Sequence, residues 1–364
     1  MLRSLGRIAY RSYVVVLIGS VALTAMLTLV RPATTAIHTA AFAAQVLPGP
    51  VKVQPWLAPE PERVKTTYRR DDGTDAEADI YVIPDDKQRA GLLIFLGANA
   101  AGADDPDVIN LGQALARAGF AVMYYWSPTM GERAEVDVGE IPNIVAGFEH
   151  LQRQEYVDRQ RVGLAGFSVG ASFALAAAAD PRIADDIAFV NAFGGYHDAA
   201  DLLAQIAAGR AVEGGAETPW EVDKLTRRVF ENMLTPEADS EAAQGLLAGV
   251  GSVAEARELY EQLPDAFRAD VDAISPSKYV EQWSGDTVMR VMHDRGDPLI
   301  PVGESRRLVA ALQEQRPDVA TYYTETDIFR HVRPDAETDW QSMLRGAWQL
   351  YRHMYHIVAV ARQP

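Results

Sequence analysis

Apolar and polar positions follow two rhythms along the chain. Unbroken apolar runs recur at "GLLIFLG" (91–97), "FAVMYYW" (120–126) and "RVGLAGF" (161–167). Runs of this length with no polar face predict strands buried on both sides. "DIAFVNAF" (186–193), "DTVMRVMH" (286–293) and "VATYYTE" (319–325) predict three more. Between them the period lengthens. "DVINLGQALARAG" (107–119), residues 140–155, the alanine-rich stretch after Ser168 and "GESRRLVAALQEQ" (303–315) read as helices. The first of these ends on Gly119, a common helix stop. Ahead of the first buried run, "RVKTTYRR" and "ADIYVI" flank "DDGTD" and predict a hairpin. Repeated strand–helix units predict an α/β fold, with a mainly parallel central sheet and helices on both faces.

Residues 198–285 interrupt the rhythm. They hold no convincing strand, and Leu202, Leu203, Ile206, Phe230, Met233 and Leu234 recur at helical spacing. The segment carries 17 acids against 7 bases. It is expected to be a helical cap over one end of the sheet, its acids on the solvated face. The core is then residues 63–197 together with 286–364.

The amino end has a different pattern. Ser12 to Val30 is a charge-free apolar run of 19 residues. As a helix it spans roughly 28 Å, close to the hydrocarbon thickness of a bilayer. Arg3, Arg7 and Arg11 precede it and Arg31 follows, which favours an inside amino terminus and an exported body. Residues 1–31 are therefore expected to be a membrane anchor, a transmembrane helix, or a cleaved signal segment. In the second case the body is secreted or periplasmic. Residues 32–62, with five prolines between 47 and 61, are expected to form an extended linker.

Charge and composition narrow the partners. The 364 residues carry a net charge of −16, and residues 1–59 contain five bases and no acid, so the body is more acidic still. An acidic body repels phosphate backbones, which argues against nucleic acid. The absence of cysteine excludes a thiol nucleophile, a disulfide and a cysteine-ligated metal. The sequence does not specify an oligomeric state.

The candidate chemistry sits in "RVGLAGFSVG" (161–170). A buried strand ends at a serine, Ser168, with Gly166 two positions before and Gly170 two after. A helix follows directly. Gly-x-Ser-x-Gly in strand–turn–helix context is a nucleophile elbow, in which the glycines leave room for a sharp turn that exposes the serine. A serine hydroxyl needs a base, and the base needs an acid to fix its tautomer. Five histidines follow Ser168: His197, His293, His331, His353 and His356. His331, in "DIFRHVRP" after the last strand, falls at the sheet edge to which the elbow points. His293 precedes the candidate acids, and His353 and His356 fall within a helix. For the acid, "HDRGDPLIP" offers Asp297 and its neighbour Asp294.

These motifs resemble those of the α/β-hydrolases, in the broad group of serine esterases, lipases and dienelactone hydrolase-like proteins. The resemblance covers roughly residues 63–360. It implies the α/β-hydrolase fold and a triad of Ser168, His331 and Asp297. In that family the acid motif is close to H-G-x-x-D-x-x-V-P and the histidine follows an aromatic residue, as in "FRH" here. The dienelactone hydrolases themselves use cysteine, so that likeness is one of scaffold. The resemblance also implies an oxyanion hole made by the amide of Val169 and a second amide from "FLGANAAGADD". That second donor is Ala98, with Asn99 as runner-up; Leu96 stands where the family commonly has histidine. The expected activity is hydrolysis of a small-molecule carboxylic ester, with no metal or organic cofactor. A serine peptidase, a thioesterase and a non-catalytic membrane-tethered scaffold are the alternatives.

Overall fold

The computed structural model describes residues 17, 19–20, 31–50, 52–98, 102–335 and 338–363. Its centre is an eight-stranded sheet. The strands are β1 (Glu62–Arg69), β2 (Asp75–Val82), β3 (Arg89–Phe95), β4 (Phe120–Tyr125), β5 (Val157–Phe167), β6 (Ile187–Phe193), β7 (Val288–Asp294) and β8 (Thr321–Thr326). Their spatial order is β1-β2-β4-β3-β5-β6-β7-β8. The predicted hairpin is β1–β2, and β2 pairs antiparallel with β4; every other pairing is parallel. The apolar runs are buried because helices cover both faces. Alternation along β3 sends Leu93 and Phe95 to one face and Leu92 and Ile94 to the other.

Among the described residues, the helices of eight residues or more are α1 (Arg31–Val46), α2 (Pro106–Ala118), α3 (Glu140–Gln152), α4 (Val169–Ala177), α5 (Ala199–Ala208), α6 (Lys224–Leu234), α7 (Glu241–Ala248), α8 (Val253–Tyr260), α9 (Asp265–Ala273), α10 (Gly303–Gln315) and α11 (Trp340–Ala361). The core on one face is shared by α3, α4, α10 and the cap helices α5–α9. The core on the other face is built with α1, α2 and α11.

Two sequence expectations change here. Residues 32–62 are not an extended linker throughout, because α1 occupies their first half. Pro32 fits its first turn, alanines favour the helix, and Pro48 lies just beyond its end. Phe42, Ala43 and Leu47 are buried, and α1 packs on both α2 and α11. The Lys52 ammonium closes the helix end by donating to the carbonyls of Ala44, Gln45 and Leu47 at 3.2, 2.8 and 2.9 Å. The cap also holds one short hairpin, Arg210–Glu213 with Ala216–Pro219, turning on Gly214 and Gly215 at positive φ. The expected membrane-spanning helix falls on Ser12–Val30, which lies outside the described residues except for Leu17, Gly19 and Ser20. Among the described residues no helix is long and apolar enough to cross a membrane.

The cap is tied to the core through a buried carboxylate. Glu304, at the start of α10, accepts from Gln205 Nε2 of α5 at 2.6 Å and from the His197 amide at 3.0 Å. It also pairs with Arg307. Trp220 Nε1 and Thr226 Oγ1 then bond the carbonyls of Pro298 and Leu299 at 3.2 and 3.0 Å, fastening the cap to the loop after β7.

Candidate active site

Ser168 stands where β5 turns into α4, at φ 57° and ψ −138°. Positive φ is strained for a residue with a side chain. The turn is held by the Ser168 amide donating to Phe193 O and by the Ala171 amide donating to Ser168 O, both at 2.9 Å. Glycine is required beside it. A Cβ on Gly170 would sit 2.5 Å from Phe95 O and 2.6 Å from Gly97 N. The loop after β3 is thus pressed against the elbow, with Gly97 at φ 69°. That contact brings Ala98 beside Val169, and both line one apolar pocket with Ser168. Asn99 lies outside the described residues.

His331 stands at the tip of a small hairpin, in which Phe329 and Arg330 pair with Pro334 and Arg333. Its φ is 64°. Its Nδ1 donates to Asp297 Oδ2 at 2.5 Å. A carboxylate only accepts, so Nδ1 carries the hydrogen, and Nε2 of the neutral ring bears the lone pair. That Nε2 is buried and has no hydrogen-bond partner among the described residues. His331, Ser168 and Ala98 line one and the same cavity.

Asp297 is fixed from both sides. Its Oδ1 accepts from the amides of Leu299 and Ile300 at 2.8 and 3.0 Å. Burial pushes its carboxyl up, but the imidazoles of His293 and His331 beside it outweigh burial and hold it well below the usual carboxylate range. Asp294 does not reach His331. It accepts from the Phe329 amide at 2.9 Å, Thr326 Oγ1 at 3.0 Å and the Gly296 amide at 3.0 Å. Burial raises its pKa. Its place is structural: it joins the ends of β7 and β8 to the His331 hairpin.

Two neighbours of the pair were not singled out from the sequence. His293 Nε2 lies 3.3 Å from Asp297 Oδ2 and donates to Ile300 O at 2.9 Å, while Nδ1 accepts from Ser305 Oγ at 2.7 Å. A second imidazole therefore backs the acid. The spacing of His293 and Asp297, four apart in "HDRGD", was the available signal. Gly194, at φ 68°, packs against both partners: a Cβ there would lie 3.4 Å from His331 Cε1 and 3.5 Å from Asp297 Oδ2. His353 is buried elsewhere, bonded to Asn191 and Thr324, and His356 is exposed. Among the described residues no group of His, Asp and Glu is clustered to hold a metal.

This strand order, with an elbow serine after the fifth strand and a histidine after the last, defines an α/β-hydrolase fold. Solved structures agree. The chain superposes on an acylaminoacyl peptidase with a TM-score of 0.51 at 14% identity, covering 79% of this chain and 40% of that one. For Porphyromonas gingivalis dipeptidyl peptidase 4 the values are 0.51, 12%, 81% and 36%. For a 2,6-dihydroxy-pseudo-oxynicotine hydrolase they are 0.51, 16%, 85% and 70%. The chain thus spans about two fifths of the peptidases it resembles. No sequence-family profile matches it, and no curated protein matches it by sequence.

Proposed function

We propose that the protein is a serine hydrolase that cleaves carboxylic esters by acyl transfer. The observation that carries this reading is the Asp297–His331 pair: its Nε2 has no partner among the described residues, and His331 lines a cavity that Ser168 also lines. Ser168 Oγ attacks the ester carbonyl carbon while His331 Nε2 takes its proton. The tetrahedral intermediate collapses, the C–O bond breaks, and the alcohol leaves with the proton from His331. Water then attacks the acyl-serine by the same route and releases the carboxylic acid. The amides of Val169 and Ala98 hold the oxyanion, with Asn99 the alternative second donor. Asp297 keeps the imidazole in its working tautomer.

Peptide-bond cleavage is the second reading, favoured by the two peptidases among the structures of similar fold. A panel of chromogenic esters, thioesters and amides, assayed on the full chain, separates these. The expected result is ester turnover that disappears in Ser168→Ala, together with the loss of covalent labelling by a fluorophosphonate. Labelling of Ser168→Ala at the wild-type rate would assign another nucleophile. Absence of turnover and labelling in the wild type would support a binding scaffold.

The same reading places the body outside the cytoplasm on an amino-terminal tether. Two features support it. One is the basic flank before the apolar run at 12–30. The other is an exposed stripe on α11, Trp340, Leu344 and Trp348, at 69%, 62% and 60% exposure. Residues spaced four apart share one helix face. The aromatic row continues through Tyr351 to Tyr355, whose hydroxyl donates to Pro32 O at 3.4 Å. The stripe therefore reaches Pro32, two residues after the apolar run in sequence, and tryptophan and tyrosine favour the lipid–water boundary.

A further inference from the structure

The space around Ser168 is unequal on its two sides. On the cap side, between α5 and α6, the pocket that Ser168 lines holds about 50 Å³. A second cavity, of about 930 Å³, runs from Ser168 and His331 beneath the sheet; Asp223 and Leu225 of the cap line it too, as do the charged side chains of Lys52, Asp107, Arg330 and Arg333. By volume it lies at the upper end of small-molecule sites, which span ~300–1,000 Å³. Leu92, Ile94, Phe189 and Met292 of the sheet face into it. Leu111 and Leu115 of α2 form one wall, and Leu350 and Met354 of α11 the other. Phe42 and Val46 of α1 close it from outside. The polar groups deepest in it are already matched: Asn191 Oδ1 accepts from His353 Nε2 at 2.7 Å.

We infer that this chamber is the acyl site, and that it takes the long unbranched hydrocarbon chain of a fatty acyl ester. The inference rests on the proposed ester hydrolysis and names its substrate class. An apolar chamber that begins at the nucleophile recognises a chain by length. Where leucine, phenylalanine and methionine form its walls, a polar substituent on the acid would be left unpaired. The small cap-side pocket then receives the short end of the substrate. Each methylene buried in the chamber is worth roughly a three- to fourfold gain in affinity, so preference climbs steeply with chain length.

The test uses the full chain in phosphatidylcholine nanodiscs and a 16-carbon fluorophosphonate bearing a photoreactive diazirine on its last carbon. After Ser168 is labelled and the sample is illuminated, mass spectrometry locates the far end of the chain. Cross-links within α1, α2 or α11 are expected. Cross-links within α5, or none within the protein, would overturn the inference. A 16-carbon diazirine fatty acid added to Ser168→Ala keeps the two proposals separate. Cross-links to α11 there, with no fluorophosphonate labelling in the wild type, would retain the chamber and reject the hydrolase. A Leu111→Trp variant is expected to lose at least tenfold more in turnover of a 16-carbon ester than in turnover of the matching acetyl ester. Equal losses for both would place the acyl chain elsewhere.

Discussion

At Ser168 and His331 the backbone sits at positive φ, and both side chains line one cavity. Conformations of this kind cost on the order of 1–3 kcal/mol and persist only where the surroundings fix them. The two aspartates of "HDRGDPLIP" show how environment divides like residues. Asp297 faces His331, while Asp294 accepts three hydrogen bonds that join loops. Asp297→Asn is therefore expected to lower ester turnover by about 10⁴, as the same change does in serine proteases. Asp294→Asn should leave the folded protein turning over within about tenfold of wild type while lowering its melting temperature. Finding the two outcomes exchanged would move the acid to Asp294. Chain order and the sheet edge pointed to His331, and the likeness to the hydrolase motif favoured Asp297 over Asp294; the structure brings Asp297 and His331 together. His293 was passed over because it precedes the acid in sequence, although folding brings it to the far side of the same carboxylate.

At the scale of elements, the strands were legible wherever both faces are buried. β3, β4 and β5 read as unbroken apolar runs because helices press on them from either side. The cap hairpin was not legible, since four-residue strands carry no alternation to detect. Helix α1 was hidden between an apolar run and a proline-rich one. Its alanines give it little contrast between faces, and only packing on α2 and α11 shows which side is buried. In that same layer α11 holds His353 wholly buried, and burial pushes its pKa down to about 3. Its Nε2 faces Asn191 Oδ1 and its Nδ1 faces Thr324 Oγ1, an arrangement for a neutral ring. The folded value lies below the unfolded one near 6.5, so the unfolded chain binds the extra proton between them. The stabilising contribution is complete above about pH 6.5 and declines as pH falls toward 3. Between pH 6.5 and 5 this group alone should remove about 2 kcal/mol. Urea midpoints of wild type and His353→Gln should converge as pH falls through that range. A constant difference between them would show that His353 is not held neutral.

For the whole molecule, the proposed membrane tether is testable at the α11 stripe, which that proposal turns toward lipid while the acidic cap faces away from it. Brominated phosphatidylcholine quenches tryptophan only on contact, so it reports directly on the stripe. In the full chain reconstituted with such lipid, quenching is expected, and Trp340→Phe with Trp348→Phe should remove most of it. Quenching that survives both changes would assign lipid contact to another surface.

The Lys52 clamp on the end of α1 bears on where the chain can be cut. The prolines after Leu47 suggest a natural place to remove the amino end, at about residue 50. A protein shortened there would lose α1 and the cover it gives to the underside of the sheet. Phe42, Ala43 and Leu47 would leave the core together, and truncating a single large core side chain already costs about 2–5 kcal/mol. A protein beginning at Arg31 keeps the whole helix and its closing lysine. Expressed side by side, the longer form should melt cooperatively, and the shorter should aggregate or bind apolar dyes. Equal melting temperatures would show that α1 is dispensable. A preparation made without α1 would read as inactive for a reason unrelated to Ser168.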